Sequence, residues 1–233
     1  YPDFILNLFF VLPIRIKWLA LLQWIGYAYL LLRGGWMTRM LIIATVLTAL
    51  VRSAPALSAT VDDIDIHWTS TGNGSDAVIF VHGWTCDSTS WQYQVPAISQ
   101  QYRVITLDLP GHGKSESPKD GQFSMELFAR AVEAVRSEAG IDKAVLAGHS
   151  MGTPVVRQYA LMYPERVAGL VLVDGLVQLA GTAPVARPRM IGAEGQRMRE
   201  GIARGMASTA TPEVQDQIVK MMLATSEATA DGA

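Results

Sequence analysis

A short stretch that joins a strand to a helix through two glycines places the strongest limit on what this chain can fold into. Residues 144–160 read AVLAGHSMGTPVVRQYA, in which Ser150 lies between Gly148 and Gly152 with one residue on each side. A strand that passes so directly into a helix strains its central residue, and the flanking positions then need residues without side chains. The sequence therefore predicts that the Ser150 hydroxyl projects from the edge of a sheet, beside a helix N-terminus.

Short apolar runs that alternate with helical patterns predict the surrounding fold. The runs DAVIFVHG, YRVITLDLPG and AGLVLVDG are typical of strands buried on both faces. A helix is predicted over residues 124–140, with Ser124 as its N-cap and Gly140 at its end, and another over residues 151–167. Together these elements predict an α/β fold with a mostly parallel sheet and helices on both faces.

The alternation of predicted strands and helices ends at about residue 176, and no further strand is predicted after it. Residues 186–208 and 211–228 have amphipathic helical patterns, and Thr211 is the predicted N-cap of the second helix. Two consecutive helices after the last strand indicate an insertion over one end of the sheet.

The beginning of the chain predicts delivery to or across a membrane. Residues 1–36 form a hydrophobic, membrane-like segment or upstream sequence that is read in frame, and residues 37–59 have the pattern of a secretory signal peptide. In that interpretation translation starts at Met37 or Met40, and cleavage follows Ala56 or Ala59. The alternative is a membrane-anchored chain that keeps these apolar segments. We therefore expect an exported protein, periplasmic or secreted, or a membrane-anchored one.

Composition excludes several functional classes. Of the 233 residues, 17% are charged and the net charge is −2, which gives no electrostatic basis for binding nucleic acid. The single cysteine, Cys86, cannot form an intrachain disulfide or a cysteine-based zinc cluster, and we expect it to be buried and inert. The sequence implies no cofactor and no metal.

Two backbone N–H groups are placed to stabilise negative charge beside Ser150. Met151 follows the serine at the start of a helix, so its N–H faces any anion that forms there. The loop VHGWTCD follows an earlier strand, where Gly83 lets the backbone approach and the Trp84 N–H becomes a second donor. This pattern predicts an oxyanion hole.

Four motifs resemble those of the alpha/beta-hydrolase fold superfamily, in its single-domain serine hydrolase branch. They are HGWTCDSTSWQYQ, DLPGHGKSESP, GHSMG and LVLVDG, in this order. The resemblance implies a hydrolase core over residues 60–180 whose last strands are missing, and an incomplete helical lid over residues 181–233. It also implies that Ser150 is the nucleophile and that Trp84 and Met151 donate to the oxyanion. A serine at this position excludes the branches with aspartate there, namely epoxide hydrolases and haloalkane dehalogenases.

The same resemblance implies an acid and a histidine, in the chain order serine, acid, histidine. None of the four histidines follows Ser150, so we expect structural roles for all of them: His67, His82, His112 and His149. The base is expected after Ala233, and residues 1–233 alone are expected to be inactive. The acid is either Asp174, 24 residues after Ser150 (174 − 150), or a carboxylate beyond Ala233. Asp174 could instead line the pocket floor.

These features predict hydrolysis of a carboxylic ester or related acyl compound through an acyl-serine. Apolar residues of the predicted lid indicate an apolar roof and a substrate with an alkyl or aryl portion: Met190, Met198, Ile202, Met206, Met221, Met222 and Leu223. The alternatives are a non-catalytic binding protein and another serine-dependent reaction on this fold, such as lactone, amide or C–C hydrolysis, acyl transfer or cofactor-free perhydrolysis.

Overall fold

The computed structural model describes residues 32–38, 40, 57–175 and 189–233. The chain divides into two compact units, Tyr1–Ala56 and Leu57–Ala233. Most of the first unit lies outside the described residues, and with it most of the predicted segments 1–36 and 37–59. Within the described ranges, no helix combines the length and hydropathy that crossing a bilayer requires.

The second unit is built on a sheet to which its described residues contribute six strands. These are β1 (Leu57–Val61), β2 (Ile64–Thr71), β3 (Ala77–Val81), β4 (Arg103–Leu107), β5 (Ala144–His149) and β6 (Val167–Val173). Their order across the sheet is β1-β2-β4-β3-β5-β6. The pairs β3–β4, β3–β5 and β5–β6 are parallel, whereas β1–β2 and β2–β4 are antiparallel. The predicted mostly parallel sheet is therefore confirmed.

The apolar runs form the centre of this sheet. Ile79, Ile105 and Leu146 lie side by side in the three central strands, and each is fully buried in the hydrophobic cluster that the sheet forms with two helices. The equally apolar run of β6 has a different environment. Its residues Leu170–Val173 keep between 37 and 47% of their surface exposed, because β6 is the edge strand of the described sheet.

Strand β1 was not predicted, and it crosses the predicted boundary between residues 59 and 60. It pairs with β2 through a tight turn, in which Val61 faces Ile64. The two turn residues, Asp62 and Asp63, have φ of 49° and 59°. Both central residues of a type I′ turn need such angles, and aspartate tolerates them better than most residues.

Helices cover both faces of the sheet. A 3₁₀ helix (Ser88–Trp91) and α1 (Val95–Ile98) precede β4, α2 (Met125–Glu138) precedes β5, α3 (Gly152–Met162) follows β5, and a 3₁₀ turn (Pro164–Arg166) leads into β6. The predicted Ser124 cap is confirmed, since its hydroxyl accepts a hydrogen bond of 3.1 Å from the Leu127 N–H. Helices α2 and α3 pack together, and the Tyr159 hydroxyl of α3 donates to Glu133 of α2 at 2.7 Å.

Three helices follow residue 189 and form a cap: α4 (Gly192–Met206), α5 (Pro212–Ala224) and α6 (Glu227–Gly232). The first two were predicted. Thr211 occupies the N-cap position of α5, although its side chain makes no capping hydrogen bond. The short α6 was not predicted, and Ser226 caps it by accepting from the Thr229 N–H at 3.1 Å. Ala203, Val219 and Met222 of the cap pack around Cys86, so the cap is seated on the loop after β3.

Candidate active site

Ser150 lies at the junction of β5 and α3 in the left-handed region of backbone space, with φ of 52°. Its N–H donates to the Val173 carbonyl at 3.0 Å, and its own carbonyl accepts from the Thr153 N–H at 2.9 Å. A side chain on Gly148 would place its Cβ 2.3 Å from the Gly152 carbonyl oxygen, and one on Gly152 would meet the Val81 carbonyl oxygen at 2.4 Å. The close packing of strand and helix thus explains both glycines of the motif.

The loop after β3 lies against Ser150. A Cβ on Gly83 would lie 3.1 Å from the Ser150 Cβ, a tight contact that the glycine avoids. Residues 83–86 form a turn closed by a 3.1 Å hydrogen bond from the Cys86 N–H to the Gly83 carbonyl. The His82 Nδ1 also bonds this carbonyl, at 2.8 Å. Because a trans peptide directs its N–H opposite to its C=O, these bonds fix the direction of the Trp84 N–H.

Two backbone donors beside Ser150 are free to bind a ligand. Within the part of the chain that the structure describes, neither the Trp84 N–H nor the Met151 N–H has a hydrogen-bond acceptor. Met151 follows Ser150 directly at the beginning of α3, and Trp84 follows the glycine that contacts the serine. Unpaired N–H groups beside a candidate nucleophile are what an oxyanion hole requires.

Two histidines are committed to the loops that surround the site. The His82 Nε2 accepts from the Leu109 N–H at 2.9 Å, so the ring proton lies on Nδ1 and is donated to Gly83. The His112 Nδ1 bonds the Pro110 carbonyl at 3.0 Å. Burial lowers the pKa of both rings, and for His112 the neighbouring His82 adds to the effect and brings the pKa to about 3. Both imidazoles are therefore neutral structural groups.

The other two histidines have different surroundings. His67 lies in β2 opposite Ser58, where partial burial lowers its pKa. His149 precedes Ser150 and is half-buried, and its ring meets the Trp91 ring edge-on at 6.3 Å. Desolvation lowers the pKa of His149, and the charge of Asp174 partly opposes this. Among the described residues, no hydrogen bond joins a histidine to Ser150.

Asp174 follows β6 and has a φ of 45°. The residue before it, Val173, accepts the hydrogen bond of the Ser150 N–H, so the carboxylate lies at the same sheet edge as the serine. Asp174 is exposed and lines a cavity together with His149. This position suits either of its predicted roles, the acid or a residue of the pocket floor.

The cavity has a volume of about 430 Å³ and lies between the sheet edge and the cap. Apolar side chains of α4 and α5 form its roof: Met206, Val214, Ile218, Met221 and Met222. Three of the seven residues predicted for an apolar roof are thus in place. Ile202 and Leu223 instead pack inside the cap, whereas Met190 and Met198 are not among the lining residues. A volume of this size is within the range of small-molecule sites.

Two buried residues near the site have structural functions. The carboxylate of Asp108 accepts from the Ser88 N–H at 2.7 Å and from the Lys114 N–H at 2.9 Å, which ties two loops together. Sequence reasoning missed this role, although an aspartate directly after a buried strand was a signal for it. Cys86 is buried as predicted, and desolvation raises the pKa of its thiol to about 12, so the thiol stays protonated.

Comparison with known proteins identifies the family. The model of the alpha/beta hydrolase fold family matches residues 76–217. The chain belongs to this family. The match spans more than half of the chain and includes the elbow at Ser150, the loop at Trp84 and the beginning of the cap.

Relatives with different reactions share this core. The chain is 37% identical over 116 residues to a dihydrolipoyllysine-residue acetyltransferase component of an acetoin cleaving system from Cupriavidus necator, covering 50% of this chain and 31% of that one. It is also similar to a 2-hydroxy-6-oxononadienedioate/2-hydroxy-6-oxononatrienedioate hydrolase from Burkholderia vietnamiensis. The identity is 38% over 117 residues, which cover 48% of this chain and 41% of the hydrolase. The chain therefore spans less than half the length of these curated relatives.

A similarity to a solved structure extends over more of the chain. The esterase RhEst1 from Rhodococcus sp. ECU1013 superposes with a TM-score of 0.63 at 26% identity, covering 75% of this chain and 70% of the esterase. This superposition confirms the alpha/beta hydrolase fold.

Proposed function

We propose that this protein is a serine hydrolase that cleaves carboxylic esters through an acyl-serine at Ser150. One observation carries the proposal: a serine in a strained strand–helix turn, flanked by two unpaired N–H groups, those of Trp84 and Met151. The similarity to an esterase and to a hydrolase supports it.

The reaction follows from this arrangement. The Ser150 hydroxyl loses its proton to a base as its oxygen attacks the ester carbonyl carbon, and negative charge develops on the carbonyl oxygen. The N–H groups of Trp84 and Met151 donate to that oxygen. Each such donor contributes about 3 to 4 kcal/mol to lowering the barrier. The tetrahedral species then releases the alcohol, which takes the proton from the base, and water hydrolyses the acyl-serine by the reverse sequence.

The proton acceptor in this proposal is a histidine that follows residue 233. The hydrogen bonds of His82 and His112 support this assignment, because both rings are already engaged with backbone groups. The acid that orients the base is either Asp174 or a carboxylate that follows residue 233.

The cavity next to the site indicates the substrate class. Its lining includes His149 and Asp174 but not Ser150, so the acyl carbonyl would reach the serine from the edge of the cavity. Its roof of methionine, isoleucine and valine side chains suits an alkyl or aryl group, and its volume of about 430 Å³ admits a small to medium-sized ester. The proposed steps need only side chains and backbone groups of the protein and a water molecule.

The proposal is tested with the full-length protein and a fluorophosphonate probe, which reacts with activated serines. We expect covalent labelling at Ser150 and hydrolysis of p-nitrophenyl esters. The variant S150A should lose both, because it has no nucleophile. The control S137A changes an exposed serine of α2 and should keep both. Labelling of S150A at the wild-type rate, or wild-type protein that neither labels nor hydrolyses any ester, would refute the proposal.

We also propose that the protein is exported by cleavage after Ala56. Strand β1 begins at Leu57, so a cut at this point keeps the strand, whereas a cut after Ala59 would remove three of its five residues. N-terminal sequencing of the mature protein should begin with Leu57. A mature chain that retains residues 37–56 would instead support the membrane-anchored alternative.

A further inference from the structure

We propose that Thr225, at the junction of α5 and α6, is a positioning residue that holds the oxyanion loop, Gly83–Cys86, in its active conformation. The inference rests on the proposed serine hydrolase function. It assigns to the cap a part in the chemistry at Ser150 in addition to its part in forming the cavity.

The oxyanion loop is strained at Thr85. This residue is fully buried and has a φ of 55°, at the third position of the turn that the Cys86 N–H closes on the Gly83 carbonyl. Glycine or asparagine usually occupies a turn position of this kind, since a β-branched side chain is disfavoured there. Such a conformation is strained and persists only where the surrounding structure holds it.

Hydrogen bonds from the cap supply that restraint. The Thr225 hydroxyl donates to the Thr85 carbonyl at 3.0 Å, across 140 residues of sequence. The Thr85 hydroxyl donates to the Trp84 carbonyl at 2.8 Å. The indole Nε1–H of Trp84 in turn donates to the Ala230 carbonyl of α6 at 3.1 Å. The cap therefore holds Trp84 and Thr85, the two central residues of the turn whose closing bond to the Gly83 carbonyl fixes the direction of the Trp84 N–H.

Thr225 is itself held in place by a buried arginine. The Arg199 guanidinium of α4 donates to the Thr225 carbonyl at 2.8 Å. Arg199 is 3% exposed and Thr225 is 7% exposed. Within the described ranges, the Arg199 Nε has no partner, so the bond to Thr225 is the main polar contact of this buried cation. Two cap helices and the oxyanion loop thus meet at one threonine.

Loss of the Thr225 hydroxyl should slow the reaction more than it weakens binding. Without it the buried Thr85 carbonyl loses a partner, and the turn can relax to a negative φ that moves the Trp84 N–H. Thr225 does not line the 430 Å³ cavity, so the binding surface for the substrate stays intact. Because removing an oxyanion donor outright lowers kcat about 100- to 1,000-fold, a misplaced donor should lower it about tenfold.

The test compares T225V with T225S and T229V in the full-length protein. T225V keeps the shape of the side chain and removes the hydroxyl, and T225S restores the hydroxyl. T229V is the matched control, since Thr229 is also buried, in the adjoining helix α6, and packs against Gly111. Among the described residues, the hydrogen-bond partner of its hydroxyl is Ser226 and no residue of the oxyanion loop. We expect T225V to lower kcat for a p-nitrophenyl ester about tenfold and to change KM by less than about twofold. T225S should recover most of the wild-type kcat. T229V should keep the wild-type kcat.

A second measurement is independent of turnover. Amide hydrogen exchange of the peptide that covers residues 82–88 should be faster in T225V than in the wild type, and unchanged in T229V. A wild-type rate in T225V, or an equal loss in T225V and T229V, would overturn the positioning role. The proposed function would be overturned if the wild-type protein neither reacted with the fluorophosphonate probe nor hydrolysed an ester. Separately, unchanged amide exchange in T225V would overturn the coupling between the cap and the oxyanion loop.

Discussion

Backbone strain at single residues is concentrated at the candidate site. Five described residues other than glycine have positive φ, and two of these, Asp62 and Asp63, form a hairpin turn that suits aspartate. The remaining three are Thr85, Ser150 and Asp174. They come from three separate loops that meet at the carboxyl edge of the sheet. Strain of this kind is typical of functional sites, where positioning a group matters more than a relaxed backbone.

The role of Asp174 is decided by replacing it with asparagine. Asparagine keeps the size of the side chain and tolerates the φ of 45°, but it cannot hold a positive imidazolium. If Asp174 is the acid of the triad, D174N should lower kcat about 1,000- to 10,000-fold, as expected when the group that orients the base is lost. Steady-state kinetics on a p-nitrophenyl ester measures this change.

The control for D174N is D63N, which makes the same substitution at a similar φ of 59° outside the site. D63N should leave kcat unchanged. If D174N lowers kcat less than about tenfold and mainly alters KM, Asp174 is a pocket residue and the acid follows residue 233.

At the scale of secondary structure, local signals account for what could be predicted. The signals that predicted the elbow, strands β3 to β6 and helices α2 to α5 are apolar periods, glycines and caps. For each element these signals lie within its own residues or next to them in the sequence. Strand β1 was missed because alanines 56 and 59 also fit an export signal. Helix α6 was missed because it is one and a half turns long, and only Ser226 and Glu227 indicate its beginning.

Contacts between elements could not be predicted in this way. The hydrogen bonds from Thr225 to Thr85 and from Trp84 to Ala230 join residues 140 and 146 positions apart. Nothing in the sequence near either partner indicates the other. The same holds for the approach of His149 and Asp174 at the cavity, which depends on the pairing of β5 with β6.

The packing of α2 against α3 gives a prediction at this scale. Tyr159 is fully buried, and burial and its hydrogen bond to Glu133 raise its pKa, so its neutral hydroxyl is the donor. Y159F should lower the free energy of unfolding by about 1 kcal/mol, the value of one buried hydrogen bond, because Glu133 keeps its bonds to Arg136. Urea unfolding measures the change.

The matched control is Y163F, one turn further along and next to the Tyr159 ring at 5.0 Å. Among the described residues, its hydroxyl has no hydrogen-bond partner, so the free energy of unfolding should change by less than about 0.5 kcal/mol. An equal effect of the two substitutions would show that the bond to Glu133 does not stabilise the packing of α2 against α3.

For the whole molecule, the buried histidines predict how stability depends on pH. His82 and His112 are fully buried, and their ring centroids lie 5.1 Å apart. Both have lowered pKa values, so both stay neutral in the folded protein. In the unfolded chain each ring titrates near its ordinary value of about 6.5. Below that pH the unfolded state binds protons that the folded state does not, and acid therefore favours unfolding.

The expected slope separates these histidines from other groups. Well below pH 6.5, each neutral histidine should lower the free energy of unfolding by about 1.4 kcal/mol per pH unit, and His112 continues to do so down to its folded pKa of about 3. Carboxylates with lowered pKa values, such as Glu133, add to the loss only below about pH 5. Urea unfolding between pH 7.5 and 5 thus reports mainly on histidines.

The variant H112N isolates one of them. Asparagine can still donate to the Pro110 carbonyl, and it removes both the titrating ring and its Nε2, which has no partner among the described residues. We expect H112N to be less stable than the wild type at pH 7.5, because the smaller side chain leaves a cavity. The free energy of unfolding of H112N should nevertheless fall less steeply with acid. Between pH 6 and 5 its unfolding should take up about one proton fewer than that of the wild type. If the two slopes are equal, His112 is charged in the folded protein and the loops around the candidate site tolerate a buried imidazolium.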